Sequence, residues 1–262
     1  MIHLVGLNHK DPRHDAIIKK YVLKATKNEL VVFLEGFPSD NKRLKHYLQQ
    51  SFGVSGGLVF GCESEIAKAI CGILLHLGYC RDPNLKEDAR IGNLQTCYDL
   101  VMLDEVRSAW NKIPQDIPLV ASVNKIIQGY NITNVKQMVN DINTKHKSIL
   151  DDPGWIDIYK FLYDNLIKEV PPALQGPLND PRVREYLNSR QNVGENYVVY
   201  EINLKWRNDF IVKNISDTIT SEELNKKEIF IFIGSAHING MIIPLRKYFG
   251  KINVVEDANK LP

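Results

Sequence analysis

The chain is short of the features that mark special classes of protein. Its four cysteines (Cys62, Cys71, Cys80 and Cys97) form no C-x-x-C pair and no ligand-like spacing with histidine. That argues against a disulfide framework or structural zinc and for free buried thiols in a reducing compartment. Neither sign of charge dominates: 33 basic and 31 acidic residues leave a net charge of +2. No Lys/Arg stripe with interleaved aromatics appears either, so nucleic acid is not an expected partner. The longest mainly apolar stretch, Ile66–Leu77, holds Lys68 and His76 and is too short to cross a bilayer. The first apolar run begins at Ile2 without a basic leader or signal-type apolar segment. The expectation is a cytoplasmic protein without membrane association, in which the N-x-S/T triplets at Asn131 and Asn214 carry no weight.

The composition that remains is ordinary for a globular chain: 262 residues, 44% hydrophobic and 24% charged, enough to bury a substantial core. Strand-like runs alternate with helical patterns over the first 80 residues. A run ending near His9 precedes a helix from about Pro12 to Thr26, with Asp11-Pro12 as N-cap and N1. Leu30–Glu35 reads as a second strand, followed by a helix from about Asn41 to Ser51. Gly57–Phe60 reads as a third strand, with a strongly apolar helix over Glu63–Leu77. Helical patterns at 95–112, 133–150 and 155–168 follow, and the proline-broken stretch between Val170 and Pro181 cannot continue a helix. A helix from about Glu195 to Ile215 leads back to a strand Ile229–Gly234, a helix to about Phe249 and a last strand Lys251–Val255. The expected fold is α/β: a central, mostly parallel sheet of two related βαβ halves flanked by helices. Residues 1–262 form one domain on this reading, with 81–194 as a helical insertion or lid.

The two halves share one pattern. Residues 2–9 read Ile-His-Leu-Val-Gly6-Leu-Asn-His9, and residues 229–237 read Ile-Phe-Ile-Phe-Ile-Gly234-Ser-Ala-His237. Each is an apolar run, a glycine, two spacers and a histidine, with a helical pattern behind it. Each histidine then falls just past the carboxyl end of a strand, where open α/β sheets bind ligands. Imidazole is both the commonest metal ligand and the commonest general acid or base near neutral pH, and the spacing leaves both roles open for His9 and His237.

Three charged residues join them. Glu35 closes the second strand and is expected on the edge that carries His9, with a capping or solvent-facing acid as the alternative. Glu63 stands similarly after the third strand, with a first-turn helix acid as the alternative. On the helix that leads back to the sheet, Tyr200, Leu204, Ile211 and Ile215 share one face, and Arg207 falls inside that apolar stripe. A guanidinium there needs a carboxylate or a bound anion. It reads as a structural ion pair or as a clamp on an oxyanion or substrate carboxylate. Gly53-Val-Ser55-Gly-Gly57 matches the nucleophile elbow, but a helix precedes it and a strand follows, the reverse of what that motif needs. Cys62 is a less implausible nucleophile, with a buried thiol as the alternative. Glu65 reads as a dipole partner and His14 as a surface residue.

With these residues in place the chain resembles the TraB/GumN/Tiki group of the erythromycin-esterase/ChaN-like superfamily. The resemblance rests on Gly6–His9, Glu35 after Leu-Val-Val-Phe-Leu, Gly61-Cys-Glu63-Ser, Arg207-Asn208, and Gly234-Ser-Ala-His237 followed by Gly240, Leu245 and Gly250. Glu35 and Glu63 are closer together than is usual in that group, Tiki-type amino-terminal segments are missing, and 90–190 does not align. The resemblance implies a sheet-edge site and hydrolysis, metal-dependent in Tiki-like peptidases and metal-free in erythromycin esterases; ChaN-like relatives bind haem.

The leading expectation is a metal-dependent peptidase or amidase acting on a peptide or small-molecule substrate. His9 and His237 would hold Mn²⁺, Co²⁺ or Zn²⁺ with carboxylate help from Glu35, Glu63 or Glu35 would move protons, and Arg207 would stabilise the oxyanion. A metal-free esterase-type hydrolase and a non-enzymatic ligand-, haem- or partner-binding protein are the alternatives. Homodimerisation through the insertion is left open.

Overall fold

The computed structural model describes residues 1–38, 42–188 and 196–261. Within them the chain divides into two compact units, one made of Met1–Glu65 and Arg207–Pro262, the other of Ile66–Trp206.

The first unit is built on five parallel strands: β1 (Ile2–Leu7), β2 (Val31–Pro38), β3 (Val59–Glu63), β4 (Ile229–Gly234) and β5 (Ile252–Val255), in the order β3-β2-β4-β1-β5. The α/β fold with a parallel sheet is as expected. The strands read as near-continuous apolar runs because both faces are covered, and all six residues of β4 are buried. On one face α1 (Arg13–Thr26) and α2 (Lys42–Phe52) pack through Ile18, Tyr21, Val22, Leu44 and Leu48 onto Val5, Leu7, Val32, Leu34, Phe230 and Phe232. On the other, α11 (Ser235–Phe249) and the Arg207–Ser221 part of α10 (Asn196–Ser221) pack through Ile211, Ile215, Ile238, Met241 and Leu245. They meet Leu4, Phe33, Ile231 and Ile233. Each such side chain contributes roughly 1.5–3 kcal/mol when fully buried.

The two βαβ units interlock. The connection from β1 through α1 reaches β2 across β4, and the one from β4 through α11 reaches β5 across β1. Right-handed crossovers that run in opposite directions send their helices to opposite faces, as the two core clusters show. The crevice between the carboxyl ends of β1 and β4 is therefore a topological switch point.

The third strand begins later than Gly57. Gly57 has φ +97° and sits so close to Thr26 that a Cβ would lie 2.4 Å from its Cα, so residues 56–58 are spent on the turn and β3 runs to Glu63. Glu63 is thus a strand residue, and the helix behind it, α3 (Glu65–Arg81), starts two residues later. The expected helix starts at Asn41 and Glu195 lie outside the described residues.

The second unit is helical: most of α3, then α4 (Lys86–Met102), α5 (Asp104–Trp110), α6 (Pro118–Ile127), α7 (Val135–Lys145), α8 (Trp155–Ile167) and α9 (Pro181–Asn188). The 95–112 helix is in fact two, broken at the extended Leu103, where the Arg107 guanidinium caps α4 by donating to the Leu100 and Val101 carbonyls. The 133–150 helix ends at Lys145 and gives way to a 3₁₀ turn, Lys147–Asp151. No helix of the described residues is long and apolar enough to cross a membrane.

A buried polar chain runs through this unit. His76 Nδ1 meets Thr96 Oγ1 at 3.1 Å, Thr96 Oγ1 meets the Tyr159 hydroxyl at 2.9 Å, and that hydroxyl donates to Asn93 Oδ1 at 2.6 Å. Burial, with a smaller push from Lys68, holds the His76 imidazole down at about 4 from an ordinary 6.5. Above pH 6.5 the ring is neutral folded or unfolded. Between pH 6.5 and 4 only the unfolded chain binds the proton, so the contribution present above 6.5 is lost as pH falls, by about 3 kcal/mol at the lower end. The chain's three tryptophans, Trp110, Trp155 and Trp206, all lie in this unit. Urea titrations followed by tryptophan fluorescence should show a midpoint that drops from pH 7 to pH 5, and a drop that is much shallower in His76→Phe. An unchanged slope in the variant would remove His76 as the cause.

Candidate active site

Five side chains of the first unit meet at the carboxyl edge of its sheet, and Glu35 on β2 is their hub. Its Oε2 accepts the Gly234 N–H at the end of β4 and lies 3.6 Å from His9 Nε2. Its Oε1 lies 3.1 Å from His237 Nε2 and accepts from Arg207 Nη2 at 3.2 Å. Burial alone would raise the Glu35 carboxyl, but hydrogen bonding and charge from His237, the charge of Arg207 and the Gly234 N–H outweigh it and hold the group at about 2. Glu35 is therefore a fixed anion at neutral pH, not a proton carrier.

Arg207 ties β2 to β3. The same Nη2 donates to Glu63 Oε1 at 2.7 Å, and that oxygen also accepts the Gly36 N–H at 3.1 Å. Glu63 is fully buried, so of its two readings the helix first-turn acid falls away. The guanidinium inside an apolar stripe has found two carboxylates. Ile211 and Ile215 of that stripe are buried and Leu204 is half-buried; the Tyr200 side chain lies outside the described residues.

The two histidines stand differently. The His237 side chain, in the first turn of α11, is only 5% exposed. Its Nδ1–H donates to Asn208 Oδ1 at 2.6 Å, while Nε2 faces Glu35 and lies 3.4 Å from Arg207 Nη1. Protonated, Nε2 has a carboxylate to donate to; neutral, it has a guanidinium N–H to accept from. The His9 side chain, in the loop before α1, is 69% exposed and rests over Gly234, where a Cβ would lie 2.8 Å from its Nε2. The glycines of the two G-x-x-H patterns thus have separate reasons. Gly234 makes room for His9 and Glu35, whereas a Cβ on Gly6 would lie 2.3 Å from the Glu256 carbonyl oxygen after β5.

The arrangement as it stands does not fit a divalent ion held by His9 and His237. Zinc needs its ligand atoms converging at about 2.0–2.2 Å. Here the imidazoles address different oxygens of Glu35, and the Arg207 guanidinium lies among Glu35, Glu63 and His237. Among the described residues no group of three or more His, Cys, Asp or Glu side chains is placed to hold a metal.

Other readings resolve locally. All four cysteines are free. Cys62 is fully buried, and burial together with the Glu35 and Glu63 charges pushes its thiol well up, which removes it as a nucleophile. Ser55 is exposed between α2 and β3, with no strand before it. His14 is not a surface residue: it is buried, and its Nδ1 accepts the Asn8 N–H at 3.0 Å. Asn208 escaped the residue-by-residue reading although it adjoins Arg207. Its signal is Gly240, where a Cβ would lie 2.2 Å from Asn208 Nδ2. Two pockets of the helical unit, of about 330 and 300 Å³, hold none of the expected site residues.

Compared with family models, with curated proteins and with solved structures, the chain matches none.

Two predictions follow from this geometry. The Glu35 carboxylate should stay ionised far into acid, so its contribution is present above about pH 4.5 and lost as pH falls towards about 2. A ¹³C-detected titration of the glutamate carboxylates checks this, and a Glu35 midpoint near 4.5 would contradict it. Gly240→Ala should cost roughly 1–3 kcal/mol by overpacking against Asn208, read as a fall in the urea midpoint by circular dichroism. Gly72→Ala, with nothing within 4 Å, is the control and should be neutral or stabilising.

Proposed function

We propose that the chain is a hydrolase of esters or amides that works without a metal, with His9 as general base and Glu35 as its orienting carboxylate. The observation that carries this reading is an exposed imidazole set beside a buried carboxylate that stays ionised. In this scheme Nε2–H of His9 faces Glu35, and Nδ1 takes a proton from water as the water oxygen attacks the substrate carbonyl. Glu35 stabilises the imidazolium that forms, and the imidazolium returns the proton to the leaving alcohol or amine as the carbonyl re-forms. The developing oxyanion would be met by first-turn N–H groups of α11, where Ser235 and Ala236 are exposed. Arg207, occupied by two carboxylates, holds Glu35 in place, and Asn208 and His237 do so from the other side. The resemblance to the TraB/GumN/Tiki group, through its esterase relatives, points to the same chemistry.

The test is a panel of activated esters, anilides and peptides assayed after exhaustive chelation. Wild type should hydrolyse at least one class with chelator present. His9→Ala should lose about 10²–10⁴-fold in kcat, and Glu35→Gln should lose activity alongside it. Activity abolished by chelation and restored by Mn²⁺, Co²⁺ or Zn²⁺ would return the assignment to a metallopeptidase. No hydrolysis across the panel, or an unimpaired His9→Ala, would sink the hydrolase reading.

A further inference from the structure

The loop that carries His9 is anchored by a second polar cluster within the same unit. His14, in the first turn of α1, is 4% exposed, and its Nδ1 accepts the backbone N–H of Asn8, the residue before His9. With Nδ1 as acceptor the ring proton sits on Nε2, which faces Asp257 Oδ1 at 3.3 Å and Asp11 Oδ2 at 3.8 Å. Asp257 opens the 3₁₀ turn Ala258–Lys260 after β5 and accepts the Asn259 N–H at 2.9 Å. The Asn259 amide donates to Asp11 Oδ2 at 3.1 Å and Asp257 Oδ1 at 3.0 Å. Its own 3.1 Å approach to His14 Nε2 is then a packing contact. Asp11 is further engaged by the Arg13 guanidinium. The loop is closed on itself by Asp11 N–H to the Asn8 carbonyl and Lys10 N–H to Asn8 Oδ1.

An exposed imidazole on a five-residue loop would otherwise sample many positions. General-base catalysis needs it within hydrogen-bond reach of one water and one carbonyl, and misplacement by about 1 Å costs as much as 10²-fold in rate. A buried histidine that spends one nitrogen on the amide beside His9 and the other on a carboxylate fixes that loop at its amino-terminal root. Neither side chain reaches the reacting atoms.

From this juxtaposition we infer that His14 is a positioning residue for His9, and that Asp257, on the turn after β5, orients His14 for that task. The inference rests on the reading of His9 as general base. Asparagine at position 14 can set its Oδ1 near the place of Nδ1, whereas alanine leaves the Asn8 amide without an acceptor.

The experiment uses the full chain and two readouts. The first, independent of activity, is the nuclear Overhauser contact between the His9 ring and the Gly234 α-protons. The second is the split between kcat and KM on the best ester of the panel. In His14→Ala the contact should disappear and kcat should fall about 10- to 100-fold, with KM changed by less than about twofold. His14→Asn should keep the contact and return kcat to within about threefold of wild type, the spread in rate that follows from the scatter in a single hydrogen bond's contribution. Should His14→Ala fail to fold, Asp257→Ala, which leaves the Nδ1 bond to Asn8 in place and removes the Nε2 partner together with the acceptor of the Asn259 N–H groups, should weaken the contact and lower kcat in the same sense. A contact that persists in folded His14→Ala or Asp257→Ala overturns the inference, and so does a KM rise that matches the kcat loss without rescue by asparagine. If wild type hydrolyses nothing, the proposed function fails, while the ring contact still decides whether His14 positions His9.

Discussion

The sheet edge depends on one guanidinium between two carboxylates. Glu63 ends β3, and Glu35 stands near the carboxyl end of the adjacent parallel strand β2, which runs on to Pro38 and does not close at Glu35. Both are almost wholly removed from water. Two such anions side by side would repel each other and would each carry a desolvation cost of several kcal/mol. Arg207 answers both through a single nitrogen, and the Gly36 and Gly234 N–H groups add one bond each, to Glu63 and to Glu35. Against two hydrophobic side chains of similar size such a cluster adds little net stability, but removing one member leaves uncompensated buried charge. Its effect is one of placement: β2, β3 and α10 are held at one point, and Glu35 is fixed as an anion there.

Why that point lies beside the histidines follows from topology. The β1 and β4 strands are neighbours whose following helices, α1 and α11, leave to opposite faces of the sheet. The crevice between their carboxyl ends lies where the two connections part to opposite faces of the sheet. The loop after β1 brings His9 to it from one side and the first turn of α11 brings His237 from the other. Glu35, on the strand next to β4, reaches across with one oxygen for each. The like-for-like look of the two G-x-x-H patterns therefore conceals a division of roles, since one ring faces solvent and the other is packed under Asn208 and Arg207.

The residues that could be read from sequence are those whose surroundings are encoded nearby. Buried parallel strands announce themselves as unbroken apolar runs, so the sheet and the positions of His9, Glu35 and His237 at its edge were legible. Arg207 was legible because a charge inside an apolar stripe demands a partner, although the identity of the partners was not. The start of β3 was misjudged because Gly57 makes a close backbone contact with α1 that only the folded sheet creates. The breaks at Leu103 and His146 carry neither proline nor glycine, so periodicity ran straight through them. His14 was misread for a similar reason: its burial comes from Asp257 and Asn259, more than 240 residues away along the chain, and no local pattern records a partner at that distance.

The guanidinium of Arg207 and a metal ion would bring different chemistry to this edge. A divalent ion coordinates water and lowers its pKa, so the ion itself supplies the nucleophile. A guanidinium carries a permanent charge and only donors; it can hold anions but cannot ligate water or accept a proton. Any proton removed at such an edge has to go to a side chain. Glu35 is held too acidic for that work, Glu63 is sealed from solvent and Cys62 is kept as a neutral thiol. Of the histidines, His237 has both nitrogens engaged inside the cluster, whereas His9 turns most of its ring to solvent. On these grounds His9 is the group to which the proposed hydrolysis at this edge would fall, and the hydrogen bonds that hold its loop would then belong to that reaction's geometry as much as to the fold.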